Sequence, residues 1–230
     1  MRRRAKSARL GFLVPSVNVV LEPEIYKMLP EGVTAHFARI RLSLKLSKHV
    51  LEEMTGNKML NAAKELADAK VNAIAFGCTV GSLIGGLGYD MKIIERIEKA
   101  TGIPATTTAT AVVNALKYLG IQRVSVVTPY EDWLNEKVKK FLEDHGFDVV
   151  IIKGLGVVGT SGHDPSEIPL ETVYEFVKKV DKAESEGVFI SCTDFRTAEI
   201  LEPLEKDLGK PVVSSNQATL WIALRIAGIK

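Results

Sequence analysis

The 230-residue chain is 46% hydrophobic and 25% charged, and 30 basic against 28 acidic residues leave a formal net charge of +2. That length holds one large α/β domain or two small ones, and the balanced charge excludes a nucleic-acid footprint, which needs a concentrated basic face. Two cysteines exclude a disulfide framework, no apolar stretch reaches the roughly 20 residues of a membrane span, and the charged start lacks a signal core, so a cytoplasmic protein with free thiols is expected.

Arg2-Arg3-Arg4, with Lys6 and Arg9, is read as a solvated tail. A first short strand covers 10–14 and is broken at Pro15-Ser16-Val17-Asn18. A helix follows from Leu21 to Leu29, with Glu22 and Glu24 in the first turn, where the macrodipole favours anions. Val33 to Ile40 alternates as a second strand. Lys48 to Lys70 has helical spacing interrupted at Gly56-Asn57, so two helices or one kinked helix are expected. The apolar run 71–76 ends in Gly77-Cys78-Thr79 and reads as a buried parallel strand entering a turn. After the glycine-rich stretch 81–88, a helix runs from Asp90, its N-cap, to Thr101. A short strand at 102–106 and a helix at 108–119, closed by Gly120, complete this half.

The pattern then restarts. Arg123 to Thr128 is a strand broken by Pro129-Tyr130, and Asp132 to His145 an amphipathic helix. Phe147 to Ile152 is a strand, 154–165 a loop, Ile168 to Glu184 a helix, and Gly187 to Ser191 a strand beneath Cys192. A helix from Thr197 to Leu208, a strand at 211–213 and a helix from Asn216 to Ala227 end the chain. Pro15 and Pro129 are 129 − 15 = 114 positions apart, and Cys78 and Cys192 are 192 − 78 = 114 apart. The segment 109–120 is echoed at 217–228. Alternating strands and helices with an internal repeat imply two similar α/β lobes of parallel sheet facing each other across a cleft.

Cys78 and Cys192 would then both lie at strand exits, where open α/β sheets bind ligands. The N–H groups of Thr79, Val80 and Gly81, and those of Thr193 and Asp194, are expected to form a nest for a carboxylate and to lower the thiol pKa values. Two facing thiols suit either of two reactions: proton removal and return at a carbon next to a carboxylate, or addition to an activated double bond. No Cys-x-x-Cys or His-x-x-x-His supports a metal site. The glycines of 81–88 miss the dinucleotide spacing, so no cofactor is expected. His36, His49 and His145 are read as structural or surface residues.

The segments GFLVPSVNVVLEPE, FGCTVGS, VVTPYEDWLNEKVKKFLEDHGFDV, SCTDFRT and VSSNQATLWIALRIAG together resemble the maleate cis-trans isomerase family, over nearly the whole chain. That family belongs to the aspartate/glutamate racemase superfamily and is related to arylmalonate decarboxylase. The resemblance implies an α/β fold of two pseudo-symmetric flavodoxin-like lobes, each with a four-stranded parallel sheet, and an active site between them. It places 1–108 with 215–230 in the N-terminal lobe and 109–214 in the C-terminal lobe, and implies a homodimer or higher homo-oligomer. Cys78 resembles the nucleophile that adds to maleate, and Cys192 the acid–base thiol. Asn18, in Pro-Ser-x-Asn, and Tyr130, in Thr-Pro-Tyr, resemble the carboxylate-holding residues; Ser16, Thr79, Val80, Thr193 and Asp194 complete the expected substrate contacts. Read without the family, Asn18 instead caps the helix at Leu21, and Tyr130 is ordinary packing.

Two departures bear on substrate. Asp194 stands where relatives commonly carry asparagine, and its carboxylate either repels a dianion and raises the thiol pKa or turns away to cap the following helix. The loop at 154–164 lacks the family's asparagine, leaving Ser161 and His163 as candidates to replace it, although His163 alone reads as a surface residue. The alternatives are a two-thiol amino-acid or hydantoin racemase, a decarboxylase of the arylmalonate type, and a non-catalytic carboxylate-binding protein.

Overall fold

The computed structural model describes residues 7–229, so Arg2-Arg3-Arg4 and Lys6 of the basic cluster lie outside the described residues, whereas Arg9 is not tail but part of the first strand, its guanidinium donating to the Ala69 carbonyl (2.9 Å). Its strands are β1 (Ala8–Pro15), β2 (Val33–Ile40), β3 (Ala73–Phe76), β4 (Ala105–Thr107), β5 (Arg123–Tyr130), β6 (Asp148–Val158), β7 (Gly187–Ile190) and β8 (Val212–Ser214). The helices are α1 (Leu21–Met28), α2 (Lys48–Met54), α3 (Asn57–Asp68), α4 (Thr79–Leu83), α5 (Tyr89–Thr101), α6 (Thr108–Tyr118), α7 (Asp132–Asp144), α8 (Leu170–Val180), α9 (Leu201–Leu208) and α10 (Ser215–Ile226). Two four-stranded sheets form, ordered β2-β1-β3-β4 and β6-β5-β7-β8, with every pairing parallel.

The repeat extends to strand register. Leu10 pairs with Ala73 and Val124 with Gly187; both partners are displaced by 124 − 10 = 187 − 73 = 114 positions. Central strands β1, β3, β5 and β7 are buried almost throughout, as a parallel sheet covered by helices on both faces requires. Phe12 and Phe76 are wholly buried, each contributing about 2–3 kcal/mol of apolar transfer. One core runs between the lobes: Phe76 and Ala109 share a buried cluster with Val126 and Phe189.

Several local expectations are corrected. Strand β5 runs through Pro129 to Tyr130, because a register irregularity between Thr128 and Tyr130 absorbs the missing proline N–H before pairing resumes at Val158. Strand β6 likewise extends to Val158, claiming the first part of the expected 154–165 loop. Asp90 is not an N-cap: Gly88 takes that position with left-handed φ, and Asp90 is buried inside α5, accepting the Thr110 hydroxyl at 2.6 Å. The turn expected after the apolar run 71–76 is the short helix α4. Helix α9 begins at Leu201 rather than Thr197, since the Thr197 and Ala198 N–H groups are bound by Glu24. Among the described residues no helix is long and apolar enough to cross a membrane.

Candidate active site

Each cysteine follows a central strand. Cys78, directly after β3, is the residue from which α4 starts, with extended backbone at φ −148°. Gly81, one turn on, directs its N–H to the Cys78 sulfur. A side chain at Gly81 would push on the sulfur, because its Cβ would lie 2.9 Å from Cys78 Sγ and 2.5 Å from Met54 Cε. Cys192, after β7, has φ +123°, a region L-residues rarely occupy and one that costs about 1–3 kcal/mol. Its N–H donates to Ser215 Oγ (3.1 Å), and its sulfur accepts the Asp194 N–H (3.4 Å).

Both thiols line a single cavity, open at its mouth. Asn18, Thr79, Val80, Tyr130, Thr193 and Asp194 share its wall. The Tyr130 hydroxyl is buried beside the Ser191 hydroxyl and the Cys192 sulfur without reaching hydrogen-bonding geometry to either. Ser191 Oγ is also unpartnered. A buried unpartnered hydroxyl is costly unless something else binds it.

The remaining polar groups tie the two halves together. Ser215 Oγ bonds Thr79 Oγ1 (2.9 Å) as well as the Cys192 N–H, so one hydroxyl touches both cysteine corners. Thr193 Oγ1 donates to the Gly77 carbonyl (3.2 Å) and meets the Asn18 amide (3.1 Å). Asn18 Oδ1 accepts the Val20 and Leu21 N–H groups (3.1 and 2.9 Å), so its side chain both steadies the start of α1 and faces the cavity. Asp194 does not cap the helix that follows it. Its Oδ1 crosses the cleft to the Val19 and Val20 N–H groups (2.8 and 3.2 Å) ahead of α1. Glu24, buried in α1, accepts the Ala198 N–H (2.8 Å), the Thr197 N–H and hydroxyl, and the Asn216 amide (2.7 Å).

Ser16 is absent from the cavity wall; its hydroxyl is exchanged with the Leu42 backbone (3.0 and 3.3 Å), bracing the segment over the mouth. That segment meets the opposite loop where the Leu46 N–H donates to the Gly159 carbonyl (2.8 Å). Of the candidates in that loop, His163 lines the cavity, whereas the Ser161 hydroxyl is bound to the Val157 carbonyl (2.6 Å). Glu131 anchors the loop through the Thr160 and Ser161 N–H groups, which hold its carboxyl down to about 2. Ser215, Glu24 and Ser191 were not visible as site residues beforehand; the one sequence signal near Ser215 is the echo of 109–120 at 217–228, which sets it opposite Thr107 (215 − 108 = 107).

The thiol pKa values run against expectation. Burial pushes Cys78 up to about 12, with the Gly81 N–H opposing and the Asp194 charge adding. Burial and then Asp194 push Cys192 up as well. Burial also lifts Asp194 to about 6, with the Val19 N–H opposing. Desolvation outweighs the donor groups, so the resting site holds two neutral thiols at neutral pH.

The sequence profile of the family described as arylmalonate decarboxylase matches residues 10–230. The chain belongs to the arylmalonate decarboxylase family. It is 31% identical to a maleate isomerase of Pseudomonas putida, covering 94% of this chain and 90% of that protein. It is 32% identical to an arylmalonate decarboxylase of Bordetella bronchiseptica over 66% of each chain. A crystal structure of the maleate isomerase Iso from Pseudomonas putida S16 with maleate, in a cysteine-to-alanine variant, superposes with TM-score 0.89 at 26% identity, covering 97% of this chain and 93% of that one. A Nocardia farcinica maleate cis-trans isomerase, a cysteine-to-serine mutant with a covalently bound succinylcysteine intermediate, superposes with TM-score 0.88 at 27% identity, covering 97% of this chain and 94% of that one.

Proposed function

We propose that this protein is a cofactor-independent cis-trans isomerase that converts maleate, or a similar small cis-dicarboxylate, to fumarate through a covalent cysteine adduct. One observation carries the reading: two thiols 114 positions apart line one cavity beside an unpartnered tyrosine hydroxyl. The covalent intermediate of the Nocardia enzyme supports it.

Cys78 loses its proton to solvent, and the thiolate adds to one alkene carbon, forming a C–S bond while the double-bond pair moves to the neighbouring carbon. Cys192 gives its proton to that carbon, leaving a succinyl thioether and a Cys192 thiolate. The former double bond is now single and rotates. Cys192 recovers the proton, the C–S bond breaks, and fumarate leaves with Cys78 again a thiolate. Tyr130 and Asn18 bind the carboxylates, while Thr79, Val80, Thr193 and Asp194 shape the wall and Ser16 acts through Leu42.

The same reading takes the protein to be a homodimer or higher homo-oligomer in the cytoplasm, a compartment that suits its two free thiols. It assigns 1–108 with 215–230 to one lobe and 109–214 to the other. Leu220 and Ala223 of α10, which share a buried cluster with Phe12 and Ala73, support that division. Incubation with maleate, followed by proton NMR without added cofactor, should give fumarate over many turnovers. Absence of fumarate, or turnover that requires an added cofactor, contradicts the reading.

A further inference from the structure

Asp194 puts a negative charge where a diacid needs a positive one. The residue is buried and lines the cavity. Its Oδ1 already fills the Val19 and Val20 donors ahead of α1, the groups that would otherwise suit a bound anion. Both of these bonds run through Oδ1, which leaves Oδ2 without a hydrogen bond among the described residues. The α1 macrodipole offsets roughly half a unit of that charge, so this end of the cavity stays negative.

No compensating cation is at hand. Among the described residues no lysine or arginine lines the cavity, and His163 is the one ionisable nitrogen on its wall. Arg39, whose charge acts on Asp194, is spent on the Ser16 and Asn18 carbonyls and the Glu22 carboxylate. Asp164 adds a further negative influence from the loop.

We infer that the preferred substrate is a monoanion: a cis-alkenoic acid with one carboxylate and, at the other end, a neutral group that donates a hydrogen bond, as in the monoamide of maleic acid. An amide N–H matches the acceptor-only Asp194 Oδ2, whereas a second carboxylate there meets like charge. The inference rests on the isomerase reading for its reaction and goes beyond it in the substrate's charge. The bond changes are those given above. The Cys78–carbon bond forms and breaks, the Cys192 proton goes out and returns, and the amide is untouched.

The test compares kcat/KM for maleate and for its monoamide, in the wild type and in Asp194→Asn. The wild type should favour the monoamide at least tenfold, and Asp194→Asn should shift the ratio at least tenfold toward maleate. A wild-type preference for maleate, equal use of the two, or a ratio unmoved by Asp194→Asn overturns the inference. Calorimetry with the saturated analogues, succinate and its monoamide, reads the charge preference without turnover. If neither alkene reacts, the isomerase reading fails and binding decides the inference. Tighter binding of the monoamide upholds it; succinate binding as tightly, or neither analogue binding, overturns it.

Discussion

Cys78 and Cys192 end equivalent strands at equivalent repeat positions, yet their surroundings differ. Cys78 begins a helix on relaxed backbone, and its sulfur is served by Gly81 from the next turn. Cys192 sits on a turn at φ +123° held largely from outside: Ser215 binds its N–H, and Glu24 grips the segment just beyond it. A locally built corner suits the nucleophile, whose attack geometry then depends on few neighbours. A corner clamped by the other half suits a proton-transfer thiol, which must meet a carbon placed by both halves.

Removing each thiol tests that division most strongly. Cys78→Ala should cut kcat/KM by at least about 10³-fold, and Cys192→Ala by roughly 10²- to 10³-fold. Equal activity in the wild type and Cys78→Ala would leave the corners without distinct roles.

Glu24→Gln comes next. It replaces a carboxylate that accepts four hydrogen bonds with an amide whose NH2 faces donors, costing about 2–4 kcal/mol of stability. Urea unfolding reads that loss. Iodoacetamide labelling should quicken at Cys192 and stay unchanged at Cys78; equal change at both would mean that the clamp is general scaffolding.

Asp194→Asn sharpens the comparison through pH. The folded pKa of about 6 lies above the ordinary 3.8, so the folded state binds this proton more tightly than the unfolded state. The resulting stabilisation is present below pH 3.8 and is lost as pH rises through 6. The asparagine variant should therefore gain on the wild type by about 1–3 kcal/mol at pH 8 and show no gain at pH 4, measured by denaturation at both. A gain that does not depend on pH would remove Asp194 from the electrostatics of the site.

The smallest expected effect is a gain of about 1 kcal/mol in Cys192→Gly over Cys192→Ala, because glycine relieves the positive φ. Matched thermal unfolding of the two variants measures it, and equal stabilities would mean the turn is unstrained.

The repeat that aligns Pro15 with Pro129 and Cys78 with Cys192 was legible because each lobe is built from local grammar: apolar strand, small-residue exit, helix. The same 114-residue displacement then appears in strand pairing. The thiols were legible for a related reason, since residues at strand exits of such sheets face the cleft; Asn18 and Tyr130 came only from the family resemblance, their local patterns reading as a helix cap and as packing. What crosses the cleft was not legible. Asp194 reaching α1, Glu24 holding Thr197 and Ser215 joining both corners depend on how the lobes dock, which no local pattern encodes. Thiol acidity was misjudged for the same reason: the donors are local, but the burial that outweighs them comes from both halves.

The most direct measurement is peptide mapping of the Cys192→Ala protein after incubation with maleate and with its monoamide, each quenched and read by mass spectrometry. The account predicts a succinyl-type thioether on Cys78, at up to one per chain, that Cys78→Ala abolishes. Fumarate formation by a protein lacking Cys78, or an adduct found on another residue instead, would contradict it.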